Sequence, residues 1–169
     1  MSNTFFCADH HFGHVNLYER FTNSDGTLAR SDLTTSAVEA TELIISRHNS
    51  VVKPHDRVYF LGDVAFSAKN LAPLDRMNGR KVLIKGNHDE LRLRDYLPYF
   101  DDIRAVKQSK GWIATHIPIH PDSLGRWGLN IHGHTHRHTI PDARYFCVSL
   151  EQTNYTPISL DEILKEINK

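Results

Sequence analysis

Apolar runs that end in polar clusters mark the first half of the chain. Residues 4–8, 57–61 and 81–84 are short runs of this kind, and each predicts a buried β-strand. Between the second and third runs, residues 71–77 have a helical pattern and Asn78-Gly79 is typical of a turn. This part of the sequence therefore predicts a β-α-β unit.

Two segments predict longer helices. From Ser31 onward, apolar residues recur at intervals of three to five positions behind a residue type that commonly caps helices, and the pattern ends near Asn49. Near the other end of the chain, Ser159 and Glu162 form a capping-box pattern. We expect an amphipathic helix in the first segment and a final helix that runs to the C-terminus in the second.

The pattern becomes more β-like after Pro98. Residues 103–106 and 112–115 flank Ser109-Lys110-Gly111, which predicts an antiparallel hairpin with a glycine turn. Runs at residues 129–132 and 145–150 extend this antiparallel character. The whole pattern predicts an α/β fold, mixed (α+β) in its second half, in a single domain over residues 1–169.

Composition narrows the classes of partner and compartment. The 20 basic and 20 acidic residues cancel, so a nucleic-acid partner stays open but is not indicated, and a small substrate is favoured. Two cysteines in apolar runs do not form a disulfide framework, which favours a reducing, cytoplasmic setting. No window approaches the roughly 18–20 apolar residues that a membrane span needs, so no membrane partner is expected. The pattern does not indicate an oligomeric state.

Side chains able to bind metal ions follow the predicted strands. They lie in five short blocks, which are Asp9 with His11, Asp63, Asn87, His116, and His134 with His136. The ends of strands are where ligands of an open α/β sheet gather, and residues two positions apart in an extended chain point the same way. Carboxylate, amide and imidazole donors in this arrangement predict a two-metal hydrolytic site.

Two neighbouring metal ions need an anion between them. Divalent cations about 3.5–4 Å apart repel by on the order of 16 kcal/mol at an effective dielectric constant near 20. Asp63, alone in its block after Gly62, is a better bridge than Asp9, because Asp9 already has His11 beside it. Taken singly, each of these side chains is also typical of an ordinary turn, so the prediction rests on the set.

Together the blocks resemble the calcineurin-like metallophosphoesterase family. Its ordered signature is Asp-x-His, Gly-Asp, Gly-Asn-His-Asp/Glu, a lone His and Gly-His-x-His, and every block occurs in order between residues 9 and 136. The resemblance implies two facing mixed β-sheets flanked by helices in a four-layer architecture. It also implies that one metal takes Asp9, His11, Asp63 and His136, and the other takes Asp63, Asn87, His116 and His134.

Two features depart from a common form of this signature. The middle residue of the first block is His10, and the lone histidine lies in a segment that also contains His120. His120 is therefore a rival of His116 for the ligand role, although His116 fits better because it directly follows an apolar strand.

The resemblance also implies an activity, which is metal-dependent hydrolysis of a phosphate ester by a hydroxide that bridges the two metals. By it, His88 protonates the leaving oxygen or stabilises charge on it, and Asp89 would then orient the His88 ring. His14, after Gly13, is a candidate for contacting the substrate phosphate, with a surface or N-terminal-turn histidine as the alternative. The expected cofactors are two divalent ions, with Mn²⁺ favoured and Fe, Zn²⁺, Ni²⁺ or Co²⁺ open. Arg20, Arg30 and Arg126 are candidates for phosphate contacts, with solvated surface arginines as the alternative.

The size of the chain bears on the substrate. A chain of 169 residues has little material for a protein-docking surface, which favours a phosphodiester or nucleotide-type substrate over a phosphoprotein. A phosphomonoesterase, or a catalytically weak scaffold or binding module that keeps the fold, remains open.

Overall fold

Strands and helices alternate along most of the chain. A computed structural model describes residues 2–168. The strands are β1 (Thr4–Cys7), β2 (Arg57–Phe60), β3 (Arg80–Ile84), β4 (Asp102–Arg104), β5 (Lys107–Ser109), β6 (Trp112–Thr115), β7 (Leu129–His132), β8 (Tyr145–Cys147) and β9 (Ile158–Ser159). The α-helices are α1 (Asn16–Glu19), α2 (Ala37–Val51), α3 (Leu93–Tyr96) and α4 (Leu160–Ile167). Two 3₁₀ helices span Ala68–Arg76 and Pro121–Ser123.

The strands form two mixed sheets. The first has the order β4-β3-β2-β1-β9, in which only β9 runs antiparallel to its neighbour. The second has the order β5-β6-β7-β8, in which only β5 runs antiparallel to its neighbour. The predicted α/β class with mixed sheets is confirmed, and the two parallel strands of the predicted β-α-β unit are confirmed as β2 and β3, although a 3₁₀ helix connects them.

The first sheet is apolar on both faces, because its strands have apolar residues at successive positions and successive side chains of a strand point to opposite sides. Phe5 of β1 and Phe60 of β2 pack in one cluster with Ile44 of α2. Phe6 and Tyr59 pack in a second cluster with buried side chains of β6 and β7. The core therefore has one part between the first sheet and the helices and another part between the two facing sheets.

The antiparallel prediction for the second half of the chain is largely wrong. The hairpin joins β5 to β6 around Gly111, whereas residues 102–104 form β4 at the edge of the first sheet, parallel to β3. Strands β6, β7 and β8 are parallel. Parallel neighbours need crossover connections of roughly a dozen residues, and residues 116–128 and 133–144 provide them.

Helix boundaries also differ from the predicted ones. Ser36, and not Ser31, caps α2, because its side chain accepts a hydrogen bond from the Glu39 amide at 3.3 Å. The helical pattern near residues 71–77 is a 3₁₀ helix with Pro73 inside it, and proline disfavours a regular α-helix there. The capping box of Ser159 and Glu162 at the start of α4 is confirmed, with both reciprocal hydrogen bonds present. In the described range, no helix has the length and apolar character required to cross a membrane.

His48 of α2 makes the stability of the fold depend on pH. Burial lowers its pKa to about 4. Its Nε2 lies 2.9 Å from the Asn78 carbonyl oxygen, which can only accept a hydrogen bond, so Nε2 carries a proton. Because this pKa lies below the unfolded value near 6.5, the contribution of neutral His48 is complete above pH 6.5. That contribution is lost as the pH falls toward 4.

We therefore expect the melting temperature of metal-free His48→Gln to fall less steeply between pH 6.5 and 4 than that of the parent. Glutamine keeps a donor for the Asn78 carbonyl but does not titrate. Thermal denaturation in a chelating buffer measures this, with His55→Gln as the matched control, since His55 is 65% exposed. Equal slopes for the parent and His48→Gln would contradict the expectation.

Candidate metal centre

The predicted ligand blocks converge at the carboxyl ends of strands from both sheets. Asp9, Asp63 and Asn87 come from the first sheet, and His116, His134 and His136 from the second. Two groups have ligand atoms that all lie within 4.8 Å of one another, which are Asp9, His11 and His136, and Asp63, His116 and His134. The grouping separates the histidines in the same way as the two metal sites implied by the resemblance.

Five of these residues have a left-handed backbone. Asp9, His11, Asp63, His134 and His136 have φ angles between 48° and 69°. In residues 2–168 only Asn154 and Tyr155 among the other non-glycine residues share this conformation. Such a conformation costs on the order of 1–3 kcal/mol per residue and persists where the surrounding structure compensates for it, most often at functional sites. The strain therefore marks five of the seven residues of the sequence blocks.

Asp63 lies between the two groups. Its Oδ2 is 3.8 Å from His11 Nε2 and 3.4 Å from His116 Nε2, while its Oδ1 accepts a hydrogen bond from the His88 amide at 2.9 Å. Burial raises the pKa of this carboxyl, but the hydrogen bond and charge of His116 outweigh burial and lower the pKa to about 2. An ionised carboxylate thus occupies the position predicted for the bridge.

His116 presents one ring nitrogen to the centre. Its Nδ1 lies 2.7 Å from the Leu61 carbonyl, which can only accept, so the proton sits on Nδ1. Its Nε2 lies 2.8 Å from Asn87 Oδ1 and close to Asp63. Burial lowers the pKa of His116, but the hydrogen bond and charge of Asp63 raise it overall. When His116 is neutral, its Nε2, the Asn87 Oδ1 and the Asp63 carboxylate all present lone pairs to one another, an arrangement that suits a cation.

Asp9 also has one oxygen directed to the centre. Its Oδ2 accepts hydrogen bonds from the His134 amide at 2.9 Å and from Ser149 Oγ at 2.6 Å. Its Oδ1 is buried and has no hydrogen-bond partner among residues 2–168. Burial raises the pKa of this carboxyl. An unpaired buried carboxylate oxygen is costly, so a cation bound with His11 and His136 fits this donor set.

Arg30 and Glu151 support the first group, and the sequence did not indicate either role. Glu151 Oε1 lies 3.2 Å from His136 Nδ1, and the Arg30 guanidinium lies 2.8 Å from the same oxygen. Arg30 is fully buried and also donates to the backbone carbonyls of Asp9 and His10. The carboxylate therefore orients the His136 ring with Nε2 toward the centre, as carboxylates commonly do for metal-ligating histidines.

We expect Glu151→Gln to weaken divalent-metal binding by about 10- to 100-fold. The amide keeps the size of the side chain but lacks the negative charge that the carboxylate places beside the His136 ring. Isothermal titration calorimetry with Mn²⁺ measures the change, and Glu42→Gln, an exposed acid paired with Arg76, is the matched control. Unchanged Mn²⁺ affinity in Glu151→Gln would show that this contact does not tune the centre.

Asp89 does not hold the His88 ring as the sequence prediction had it. Its carboxylate accepts hydrogen bonds from the backbone amides of Asp63, Val64 and Gly86 at 2.8–3.0 Å. No hydrogen bond joins Asp89 to the His88 ring in the described part of the chain. A saturated buried carboxylate of this kind ties together the loops after β2 and β3, so Asp89 positions Asp63.

The other predicted site residues lie at the entrance of the centre or away from it. The exposed His88 ring lies 5.8 Å from the His11 ring, and the half-buried His14 ring lies 5.9 Å from it. His120 is 73% exposed and its Nδ1 accepts from the Asp122 amide, so it is separate from the ligand groups. Arg126 stacks on Trp127.

Glycines let the ligand loops touch each other. A Cβ on Gly62 would lie 2.5 Å from the Gly86 backbone, and one on Gly86 would overlap the Asp63 carboxylate. A Cβ on Gly133 would lie 2.8 Å from Asp9 Oδ2. At Gly62 and Gly86 the absence of a Cβ therefore gives room to protein atoms.

A cleft of about 620 Å³ opens beside His134 and His136. Leu17, Asn23 and Ala29 line one side, and His134, His136 and Arg137 line the other. This volume is typical of a small-molecule site. Two of the candidate ligands, His134 and His136, thus line a cavity large enough for a small molecule.

Comparisons with known proteins give relatives without an assigned activity. No protein-family model matches the chain. It is 32% identical over 183 residues to the uncharacterized protein MJ1445 of Methanocaldococcus jannaschii, covering 100% of this chain and 93% of that protein. The crystal structure of AQ665 from Aquifex aeolicus, a protein of unknown function, superposes with a TM-score of 0.72 and 25% identity over 98% of this chain and 100% of that one.

Proposed function

We propose that this chain, which belongs to the same family as the archaeal protein MJ1445, is a metal-dependent phosphoesterase of the calcineurin-like kind. Its substrate would be a phosphodiester or nucleotide-type ester, and its cofactors two divalent metal ions, with Mn²⁺ favoured. The observation that carries the proposal is the Asp63 carboxylate between two groups of ligands that each contain imidazole nitrogens. The four-layer arrangement of that family is part of the proposal.

The charges of the centre suit an anionic substrate. When bound, two divalent cations would polarise the phosphoryl oxygens and acidify a solvent molecule shared between them. Asp9 and Asp63 supply two negative charges against four positive ones, so a net positive charge faces the substrate. Asp63 holds the two sites at a fixed separation, and Glu151 fixes the ring of His136.

His88 is the residue placed to handle the leaving group. Its backbone amide is anchored on Asp63 Oδ1, and its ring is exposed to solvent beside His11. A ring at this distance can give a proton to a departing alkoxide without competing for the metals. Asp89 contributes indirectly, because it fixes the loops that carry Asp63 and His88.

The cleft beside His134 and His136 favours a diester over a monoester. A diester has a second substituent that must be accommodated next to the phosphate, and the cleft offers about 620 Å³ for it. A small nucleotide ester also agrees with the balanced charge of the chain. Cys7 and Cys147 are free thiols, in keeping with a cytoplasmic location, which is also part of the proposal.

Turnover by purified, metal-analysed protein tests the proposal. We expect protein with added Mn²⁺ to bind two ions per chain and to hydrolyse bis-p-nitrophenyl phosphate faster than p-nitrophenyl phosphate. Asp63→Asn, purified identically, controls for contaminating phosphatases. Faster hydrolysis of the monoester would overturn the diester preference. Two bound ions without turnover of either ester would identify a metal-binding scaffold.

A further inference from the structure

Four rings border the candidate metal centre, and one of them, Phe21, precedes the cleft-lining Thr22 and Asn23. Phe66 lies at the middle, with its centroid 4.7 Å from His14, 5.0 Å from His88 and 5.4 Å from the ligand His11, with which it is stacked. Phe21 extends the row, 5.5 Å from His14. We call Phe21, His14, Phe66 and His88 the ring platform.

The two phenylalanines of the ring platform are exposed. Phe21 is 45% exposed and Phe66 is 43% exposed, although most phenylalanines of this chain are buried. Single exposed apolar residues are common on protein surfaces, but adjoining rings at the edge of a polar ligand cluster form a larger feature. Neighbouring rings of the platform meet edge to face, at interplanar angles of 61–84°, so a planar partner would stack on the open face of one phenylalanine and meet the next ring at its edge.

Backbone contacts hold the chain at Phe21 and next to Phe66. Phe21 donates from its amide to the Asn16 carbonyl and accepts from the Ala29 amide, each at 2.8 Å. Phe66 follows Ala65, which forms a bridge with Phe12. Because these segments are fixed before a ligand arrives, stacking on the rings costs little ordering entropy.

We propose that the ring platform binds the base of a nucleoside phosphodiester whose phosphate lies at the metal centre. The inference rests on the proposed function, because the phosphate must be held beside Phe66. A nucleobase is the planar group that accompanies a phosphodiester, and base-on-aromatic stacking is strong and tolerant of base identity. The balanced net charge favours a small nucleotide over a long polyanionic strand. The cleft beside His134 and His136 then receives the second alcohol.

Two esters with the same leaving group test the proposal. Thymidine 5′-(p-nitrophenyl phosphate) and methyl p-nitrophenyl phosphate differ only in the nucleoside. We expect Mn²⁺-loaded protein to prefer the thymidine ester in kcat/KM. Phe66→Leu and Phe21→Leu, which keep apolar bulk but remove a ring, should each lower that preference by roughly 5- to 100-fold. Leu97→Ala, which alters an exposed apolar residue of α3, should leave it unchanged.

The outcomes separate this proposal from the proposed function. Turnover of neither ester by the parent protein overturns the function itself. Turnover of both esters without a preference, or a preference that survives both phenylalanine variants, overturns only the ring platform. An equal loss on both esters would place the p-nitrophenyl group on the rings and overturn the assignment to the base. Metal content is measured for Phe66→Leu, because Phe66 stacks on the ligand His11.

Discussion

In the proposed two-metal phosphoesterase, replacing Asp63 by asparagine should remove at least one of the two metal ions and lower kcat/KM by on the order of 10³-fold. Asparagine keeps the shape of the side chain and an acceptor for the His88 amide, but it lacks the negative charge between the two ligand groups. Two divalent cations would then repel by on the order of 16 kcal/mol at an effective dielectric constant near 20, without an anionic protein bridge. Elemental analysis after dialysis and turnover of a phosphodiester measure the two effects.

Asp56→Asn is the matched control for this change. Asp56 is also buried and also accepts backbone hydrogen bonds, from Asn3 and Lys53, but it lies away from the ligand groups. We expect Asp56→Asn to lower stability while two ions remain bound. Retention of both ions and of full turnover by Asp63→Asn would rule out Asp63 as the bridge.

Arg30→Met should destabilise the metal-free protein by about 3–5 kcal/mol. Arg30 is fully buried, pairs with Glu151 and donates to two backbone carbonyls next to the first ligand. Methionine fills similar space but leaves a buried carboxylate unpaired. The charge of Arg30 helps to keep the pKa of Glu151 well below its usual range, against the effect of burial. Urea denaturation in a chelating buffer measures the loss.

Two further variants show whether the loss of stability comes from the unpaired buried charge. Arg137→Met removes a partly exposed arginine that pairs with Asp32, and we expect a cost of about 0–1 kcal/mol. Adding Glu151→Leu to Arg30→Met removes the unpaired charge and should restore part of the stability. A loss near that of Arg137→Met in the single Arg30 variant would refute a supporting role of the buried pair.

The ligand blocks could be predicted because their signal is local. Asp9 and Asp63 each follow an apolar run directly, and the end of a buried strand is visible in a few residues of sequence. The same rule would have pointed to Glu151, which follows the apolar run at residues 145–150. Its partner Arg30 lies 121 positions away in a polar loop. The sequence carries no local signal of this pairing and predicts a surface or phosphate-binding arginine.

Strand direction and side-chain direction were harder to predict. The runs at β6, β7 and β8 have the same apolar pattern whether their neighbours are parallel or antiparallel, and the connections decide between the two. Asp89 follows His88 in sequence, yet its carboxylate accepts hydrogen bonds from backbone amides in the loop after β2 and from the Gly86 amide of its own loop. Adjacency in sequence did not show where that side chain points.

At five candidate ligands the left-handed backbone lowers stability while the side chain serves the site, so thermal tolerance and activity make opposite demands on these positions. Glycine adopts such φ angles more readily than other residues, so exchanging the half-buried His134 for glycine relieves local backbone strain while deleting a donor. A library screened for heat resistance without an activity filter would therefore accept this exchange, although the protein loses a candidate ligand.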